Sequence, residues 1–187
     1  MAQATLVDDI SVDTSESARQ CAALYPLVRD AVLRSHPWNC AILRQALTLN
    51  LTAPSFEFDF SYTLPADCLR ALELYSSDNK FEVEHGNLLT NEEDANLTYI
   101  AQITDVSKYD ALLVEAIATK LAAKLAITLS NSRLYAAQLE QQYLAILNEA
   151  RRVNGQEGSP KYISQKSGWT DSRYNYRAGR NPFRERR

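Results

Sequence analysis

The sequence predicts a mainly α-helical protein: a helical bundle with long C-terminal helices, a small, mostly antiparallel β-sheet inserted at about residues 56–103, and an extended C-terminal tail. Three observations lead to this fold class. Residues 107–152 are dominated by Ala, Leu, Ile and Glu, which mostly favour helix. The 187 residues include only 5 Gly and 6 Pro, too few for the tight turns of an all-β fold. Residues 56–62 alternate aromatic and polar side chains, the pattern of a half-buried strand.

A first helix is predicted to begin at residues 13–16, which offer polar N-cap candidates, with Glu16 three residues after Asp13. Pro26 lies inside the helical pattern and predicts a kink or a restart, because an interior proline lacks the backbone donor. The dipeptide His36–Pro37 predicts the end of the helix, since the residue before a proline is disfavoured in the α region. Apolar residues at helical spacing support the assignment: Ala18, Cys21, Ala22, Tyr25, Val28, Val32 and Leu33.

The middle third of the chain is predicted to form the inserted sheet. Residues 40–51 fit either a short helix or an extended apolar segment, and we expect helix at the start and strand at the end. The four rings of residues 56–62 are expected on one face of a strand. Residues 81–90 have the pattern of a hairpin with its turn at Gly86–Asn87. Residues 97–103 alternate as a further strand.

Two long helices are predicted after Ser107, with a break at residues 130–132 and an end near Arg152. A row of apolar residues at every fourth position predicts one apolar stripe: Leu113, Ile117, Leu121, Leu125 and Leu129. A second, narrow face of alanines is suited to close helix contact: Ala118, Ala122, Ala123 and Ala126. We therefore expect a helical body at residues 1–152 and an extended tail at residues 153–187.

Charge is distributed unevenly between these two parts. Residues 1–150 hold 10 basic and 20 acidic side chains, whereas residues 151–187 hold 10 basic and 3 acidic ones. The tail combines cations with aromatic rings, which suits phosphate or carboxylate binding with stacking or pocket insertion. It could bind DNA, fill a groove on a protein, or only aid solubility. Its candidate binding residues are Trp169, Tyr174, Tyr176, Arg177, Arg180, Phe183 and Arg184.

The sequence favours no catalytic, cofactor or metal site, and we expect that the protein is not an enzyme. Neither His36 nor His85 lies in a sequence setting that suggests a catalytic triad or a metal site, and phosphate-binding glycine loops, zinc-binding helices and nucleophile elbows are missing. The three cysteines are far apart and expected to be reduced. An acidic N-terminus without an apolar segment predicts no signal peptide, and the longest apolar stretch is broken by charges, so we expect a protein that does not enter a membrane.

Two sequence motifs resemble those of the head-to-tail adaptor, or connector, proteins of tailed bacteriophages. Residues 37–41 read P-W-N-x-A, and residues 62–70 read Y-x-L-P-x-D-C-L-R. They follow a helix that contains Glu16 to Cys21 and Val28 to Leu33, and they precede the long Ala- and Leu-rich helices. The resemblance spans roughly residues 14–152. It extends to the tail tubular A proteins of podoviruses and to the DNA-stabilising adaptors.

The resemblance implies a structural virion protein without catalytic activity. It implies a homo-oligomer, a twelvefold ring in the neck of the virion, assembled in the host cytoplasm. The ring would lie between the portal protein and the downstream tail or nozzle protein, with genomic double-stranded DNA passing through it during ejection. The tail and its candidate residues would then dock onto the portal. The alternative function is a DNA-binding or DNA-packaging accessory protein that uses the basic tail.

Overall fold

The computed structural model describes residues 12–75, 80–130 and 132–157, all within one unit, Met1–Glu157. The predicted fold class is wrong. The described residues are 49% helical and 22% strand, with three α-helices and two antiparallel sheets, and they form an α+β fold rather than a mainly helical bundle. The strands are more than a small insertion because they supply a second hydrophobic core of their own.

The helices are α1 (Glu16–Ser35), α2 (Ala111–Ser130) and α3 (Arg133–Gln156), and two 3₁₀ turns lie at Asn39–Ala41 and Val106–Lys108. The strands are β1 (Ile42–Ala46), β2 (Thr48–Leu49), β3 (Phe60–Thr63), β4 (Cys68–Leu74), β5 (Glu82–Glu84), β6 (Asn87–Thr90) and β7 (Asn96–Ala101). The first sheet has the strand order β1-β7-β4 and the second has the order β2-β3-β6-β5. In the described part of the chain, no helix is both long and apolar enough to cross a bilayer.

Helix α1 begins at the predicted place and is continuous. The N–H of Ala18 donates to Ser15 Oγ at 3.2 Å, so the N-cap is Ser15, one of the predicted candidates. The carboxylate of Asp13 accepts from the N–H of Ser15 at 2.8 Å. The helix does not restart at Pro26, which lies on its exposed side. It ends before His36, as predicted.

The predicted strand over residues 56–62 is wrong in its first half. Only Phe60–Thr63 forms a strand, and Phe56 is 80% exposed. Glu57 has a φ of 73°, and the N–H of Phe58 donates to the carbonyl of Phe56 at 2.9 Å, which is a tight γ-turn. The four rings therefore do not share one face, because the chain turns before it enters the sheet.

Other predicted strands are confirmed. Residues 40–51 contain a 3₁₀ turn followed by β1 and β2, which is the predicted order of helix and then strand. Strands β5 and β6 form the predicted hairpin, with Glu82 opposite Leu89. Its turn lies at His85–Gly86, where both φ angles are positive, one residue earlier than predicted. Strand β7 matches the predicted strand at its start and ends at Ala101.

Strand β7 joins the two hydrophobic cores because its side chains alternate between them. Ile100 lies in the core formed with α1, α2 and α3, which also contains Trp38 and Leu113. On the other face of the strand, Leu97, Tyr99 and Ala101 lie in the core shared with the second sheet. The helices are thereby connected to both sheets through one central strand.

Candidate assembly surface

The candidate binding residues predicted in the tail lie outside the described residues. These are Trp169, Tyr174, Tyr176, Arg177, Arg180, Phe183 and Arg184. Helix α3 ends at Gln156, so Val153, Asn154 and Gly155 belong to it rather than to a loop. Their place in the helix brings Asn154 into contact with the first of the two motifs.

The first motif fastens the C-terminal end of α3 to the junction between α1 and β1. The N–H of Asn39 donates to Asn154 Oδ1 at 2.9 Å, and Asn39 Nδ2 donates to the carbonyl of Asn154 at 2.9 Å. Because Oδ1 is fixed in this way, Asn154 Nδ2 faces the carbonyl of Pro37 and His36 Nε2, each at 3.2 Å. The motif thus has a structural role.

The same region satisfies the last carbonyl groups of α1, which have no partner within the helix. Buried Trp38 donates through Nε1 to the carbonyl of Val32 at 3.0 Å. Arg70 donates to the carbonyl of Arg34 at 3.2 Å, and Arg151 donates to the carbonyl of Ser35 at 3.5 Å. Guanidinium groups at this end also interact favourably with the negative pole of the helix dipole.

The second motif connects β3, β4 and β7. The hydroxyl of Tyr62 donates to the carbonyl of Glu92 at 2.9 Å, and the side chain of Tyr62 is buried in the second core. Asp67 accepts from the hydroxyl of Tyr99 at 3.2 Å. Arg70, the last residue of the motif, reaches back to α1 as described above. Both motifs are therefore explained by the packing of the fold.

The pKa values of the titratable groups near these motifs are shifted mainly by burial. Burial, and then the charges of Arg151 and Arg70, lower the pKa of His36. Burial raises the pKa of the Cys40 and Cys68 thiols, which keeps them protonated and weakly nucleophilic. The described residues contain no group of three His, Cys, Asp or Glu side chains that could hold a metal ion.

Helices α2 and α3 pack closely as an antiparallel hairpin. Three alanines of the two helices are buried, Ala123, Ala126 and Ala136. Such small side chains permit a short distance between the helix axes. Lys120 forms a salt bridge with Glu140, and its Nζ lies 4.6 Å from the centre of the Tyr143 ring. These contacts fix which side of each helix faces the other.

The predicted apolar stripe of α2 does not stay in the core. Residues four apart advance by about 400°, that is by about 40° more than one full turn, so such a row winds around the helix. Leu113 is 0% exposed and Ile117 is 4% exposed, Leu121 and Leu125 are half-buried, and Leu129 is 46% exposed. The row therefore carries apolar side chains from the core to the protein surface.

Each helix of the hairpin consequently has an outer face that is poor in charge. The outer face of α2 is aliphatic and consists of Val114, Ala118, Ala122, Leu125 and Leu129. The outer face of α3 is exposed and consists of Leu134, Ala137, Gln141, Leu144, Ala145 and Asn148. Glu115 lies only at the border of the first face. Exposed helix faces of monomeric proteins are normally rich in charged side chains.

The part of the sequence that precedes the hairpin is acidic. Residues 1–110 hold 7 basic and 17 acidic side chains, whereas residues 111–150 hold 3 of each. Exposed carboxylates are concentrated on the second sheet and its loops, where Glu57, Glu82 and Glu84 border a shallow cleft of about 320 Å³. The hairpin residues 111–150 thus carry no net charge, on an otherwise acidic body.

Comparison with known proteins gives no assignment: no protein-family model matches the chain, and no curated protein matches it.

Sequence reasoning recognised the apolar residues of α2 and assigned them to one apolar stripe and a second, narrow face of alanines, without separating the buried residues from the exposed ones. The spacing of four residues was itself the signal, because a row with this spacing winds around the helix from the core to the outer face. A helix that is apolar all round cannot bury every side against one core. The outer face of α3 could also be recognised in the sequence, because residues 141–148 include Gln and Ala and contain no charged side chain.

Proposed function

We propose that this chain is a structural subunit of a head-to-tail adaptor ring of a tailed bacteriophage. The ring lies in the virion neck, between the portal and the nozzle, and genomic double-stranded DNA passes through it. The chain has no catalytic role in this proposal. The observation that carries it is the pair of charge-poor outer faces on the hairpin of an otherwise acidic protein.

Such faces need a partner. Contiguous apolar surface on a soluble protein commonly marks an interaction site, and charged residues are depleted at the centres of protein interfaces. The faces follow two helices of 20 and 24 residues, Ala111–Ser130 and Arg133–Gln156. Stiff helices that present uncharged sides suit the wall of a ring.

The acidic remainder of the chain suits a channel for DNA. The excess of carboxylates in residues 1–110 would repel phosphates, so that DNA could move past without being held. The basic residues of the tail, together with Trp169 and its other aromatic residues, are proposed to bind the portal. The roles of body and tail therefore differ in the sign of their charge.

The two motifs add support because they stabilise the fold and not a reaction. Asn39 and Trp38 fasten α1 and α3, while Tyr62 and Asp67 hold the strands together. An adaptor subunit under load during DNA passage benefits from helices fastened to both sheets.

Electron microscopy of the purified protein with and without portal rings of the same phage tests the proposal. We expect rings on the portal. A chain truncated after Glu157 keeps α3 complete and should fold but lose portal binding. A chain that never binds portal rings, but binds DNA with a steep loss of affinity on adding salt, would instead be a DNA-binding accessory protein.

A further inference from the structure

We propose that the outer face of α2 in one copy packs against the outer face of α3 in the next copy. The contact is heterologous, since each subunit uses two different surfaces for two neighbours. The inference deepens the proposed adaptor function and rests on it for the closure of the ring. The contact itself rests on the geometry of the hairpin and on the distribution of charge along the chain.

The first step is the direction of the α2 face. Lys120 points at α3, because it contacts Glu140 and Tyr143. With about 100° per residue, Val114 lies about 120° around the helix from Lys120, and Leu129 lies about 180° from it. The remaining residues of this face fall between about 140° and 200°. The outer face of α2 therefore points away from α3.

The α3 face points the opposite way. Tyr143 and Leu147 are buried on the side that faces the core. Leu144 lies about 100° from Tyr143, Gln141 about 160° and Ala145 about 200°, again with about 100° per residue. The two outer faces are thus on opposite sides of the hairpin. A single neighbour cannot cover both, but two neighbours can.

The two faces also match in length and level. Val114 to Leu129 spans about 22 Å and Leu134 to Asn148 about 21 Å, at about 1.5 Å per residue. The contact of Lys120 with Glu140 and Tyr143 places Ala118 at the level of Ala145. Where the helices of neighbouring copies lie parallel to the rotation axis of the ring, Ala118 of one copy is also level with Ala145 of the next. Small side chains then meet and permit close approach.

Charge identifies a second copy of this chain as the occupant. Two copies repel each other through residues 1–110, which carry 17 acidic and 7 basic side chains. The hairpin is the region where this repulsion is least, because residues 111–150 carry three charges of each sign. A twofold contact between two α2 faces would leave the equally uncharged α3 face in water, whereas the heterologous contact covers both.

A charge-exchange experiment on the full-length chain tests this pairing. Ala118→Glu and Ala145→Lys are made singly and together, and self-association is measured by sedimentation velocity over a concentration series. Each single variant should weaken self-association at least about tenfold, because a buried unpaired charge is unfavourable. The double variant should recover most of the loss, since Glu of one copy then meets Lys of the next. Ala23→Glu and Ala23→Lys, on the exposed side of α1, are the matched controls and should behave as the wild type.

Three results would overturn the inference. The first is a wild-type chain that remains monomeric throughout the series, and the second is a pair of single variants that associate like the wild type. The third is a double variant that stays as impaired as the singles, which would indicate a contact between like faces. The portal-binding assay keeps the two proposals separate. A double variant that stays impaired while the wild type binds portal rings would remove this contact and leave the adaptor function standing. A wild type that self-associates but does not bind portal rings would remove the adaptor function and leave this contact standing.

Discussion

The amide of Asn154 offers the most direct test of how the two ends of the body are held together. It accepts one hydrogen bond, from the N–H of Asn39, and donates to the carbonyl of Pro37 and to His36. The Asn154→Ala variant removes all three while leaving the backbone of α3 in place. The helix end then keeps only the bonds made through Asn39 Nδ2 and Arg151.

The expected loss follows from those three bonds. A hydrogen bond contributes about 0.5–1.5 kcal/mol, and partial exposure places these at the lower end, so their removal lowers the unfolding free energy by about 2 kcal/mol. Alanine has the higher helix propensity, which offsets about 0.5 kcal/mol. The net change is a destabilisation of about 1.5 kcal/mol. Urea denaturation followed by circular dichroism measures it as a lower midpoint with an unchanged slope.

Asn148→Ala is the matched control, because it makes the same substitution on an exposed position of the same helix. It should raise stability by about 0.5 kcal/mol through helix propensity alone. Both variants are compared at a concentration where copies are dissociated, since Asn148 belongs to the outer face of α3. Equal midpoints for the two variants would refute the reasoning that Asn154 fastens the end of the helix.

Three further predictions concern the core, the pH response and the hairpin. Trp38→Ala should lower the unfolding free energy by about 3–5 kcal/mol, because a buried indole is removed along with its hydrogen bond, and denaturant unfolding measures this. Since the folded state lowers the pKa of His36, the unfolded chain takes up its proton first. Stability should therefore fall as the pH drops from about 6.5, the usual pKa, to the lower folded-state value. His36→Gln should remove this part of the pH dependence in unfolding curves measured across that range. Ala123→Leu should destabilise by about 1–3 kcal/mol by forcing the hairpin apart, whereas the same change at exposed Ala118 should leave thermal unfolding nearly unaltered at a concentration where copies are dissociated.

Local patterns predicted most of the elements because they reflect short-range physical chemistry. The end of α1 before His36 follows from the proline after it, and the hairpin of β5 and β6 follows from its turn residues. The extent of the strand near Phe56 was not predictable in this way. Alternation is compatible with a strand, yet the tight turn at Glu57 leaves the preceding ring in solvent.

The fold class was mispredicted because the share of strand depends on which segments pair. Thr48 and Leu49 pair with Thr63 and Tyr62, and such short strands carry little signal in sequence. β7 pairs with β1 on one side and with β4 on the other, and in the sequence β2 and β3 of the second sheet lie between β1 and β4. Long-range pairing of this kind is decided by burial in two cores and not by local propensity.

The sequence by itself determined the helices, their approximate ends and the separation of an acidic body from a basic tail, since these depend on neighbouring residues and on composition. Tertiary structure alone decided which side of each helix is covered. The row from Leu113 to Leu129 has uniform chemistry, yet its first residue is buried and its last is exposed. The physical reason is that a row at every fourth position turns around the helix, while α1, α3 and the first sheet occupy only one side of it.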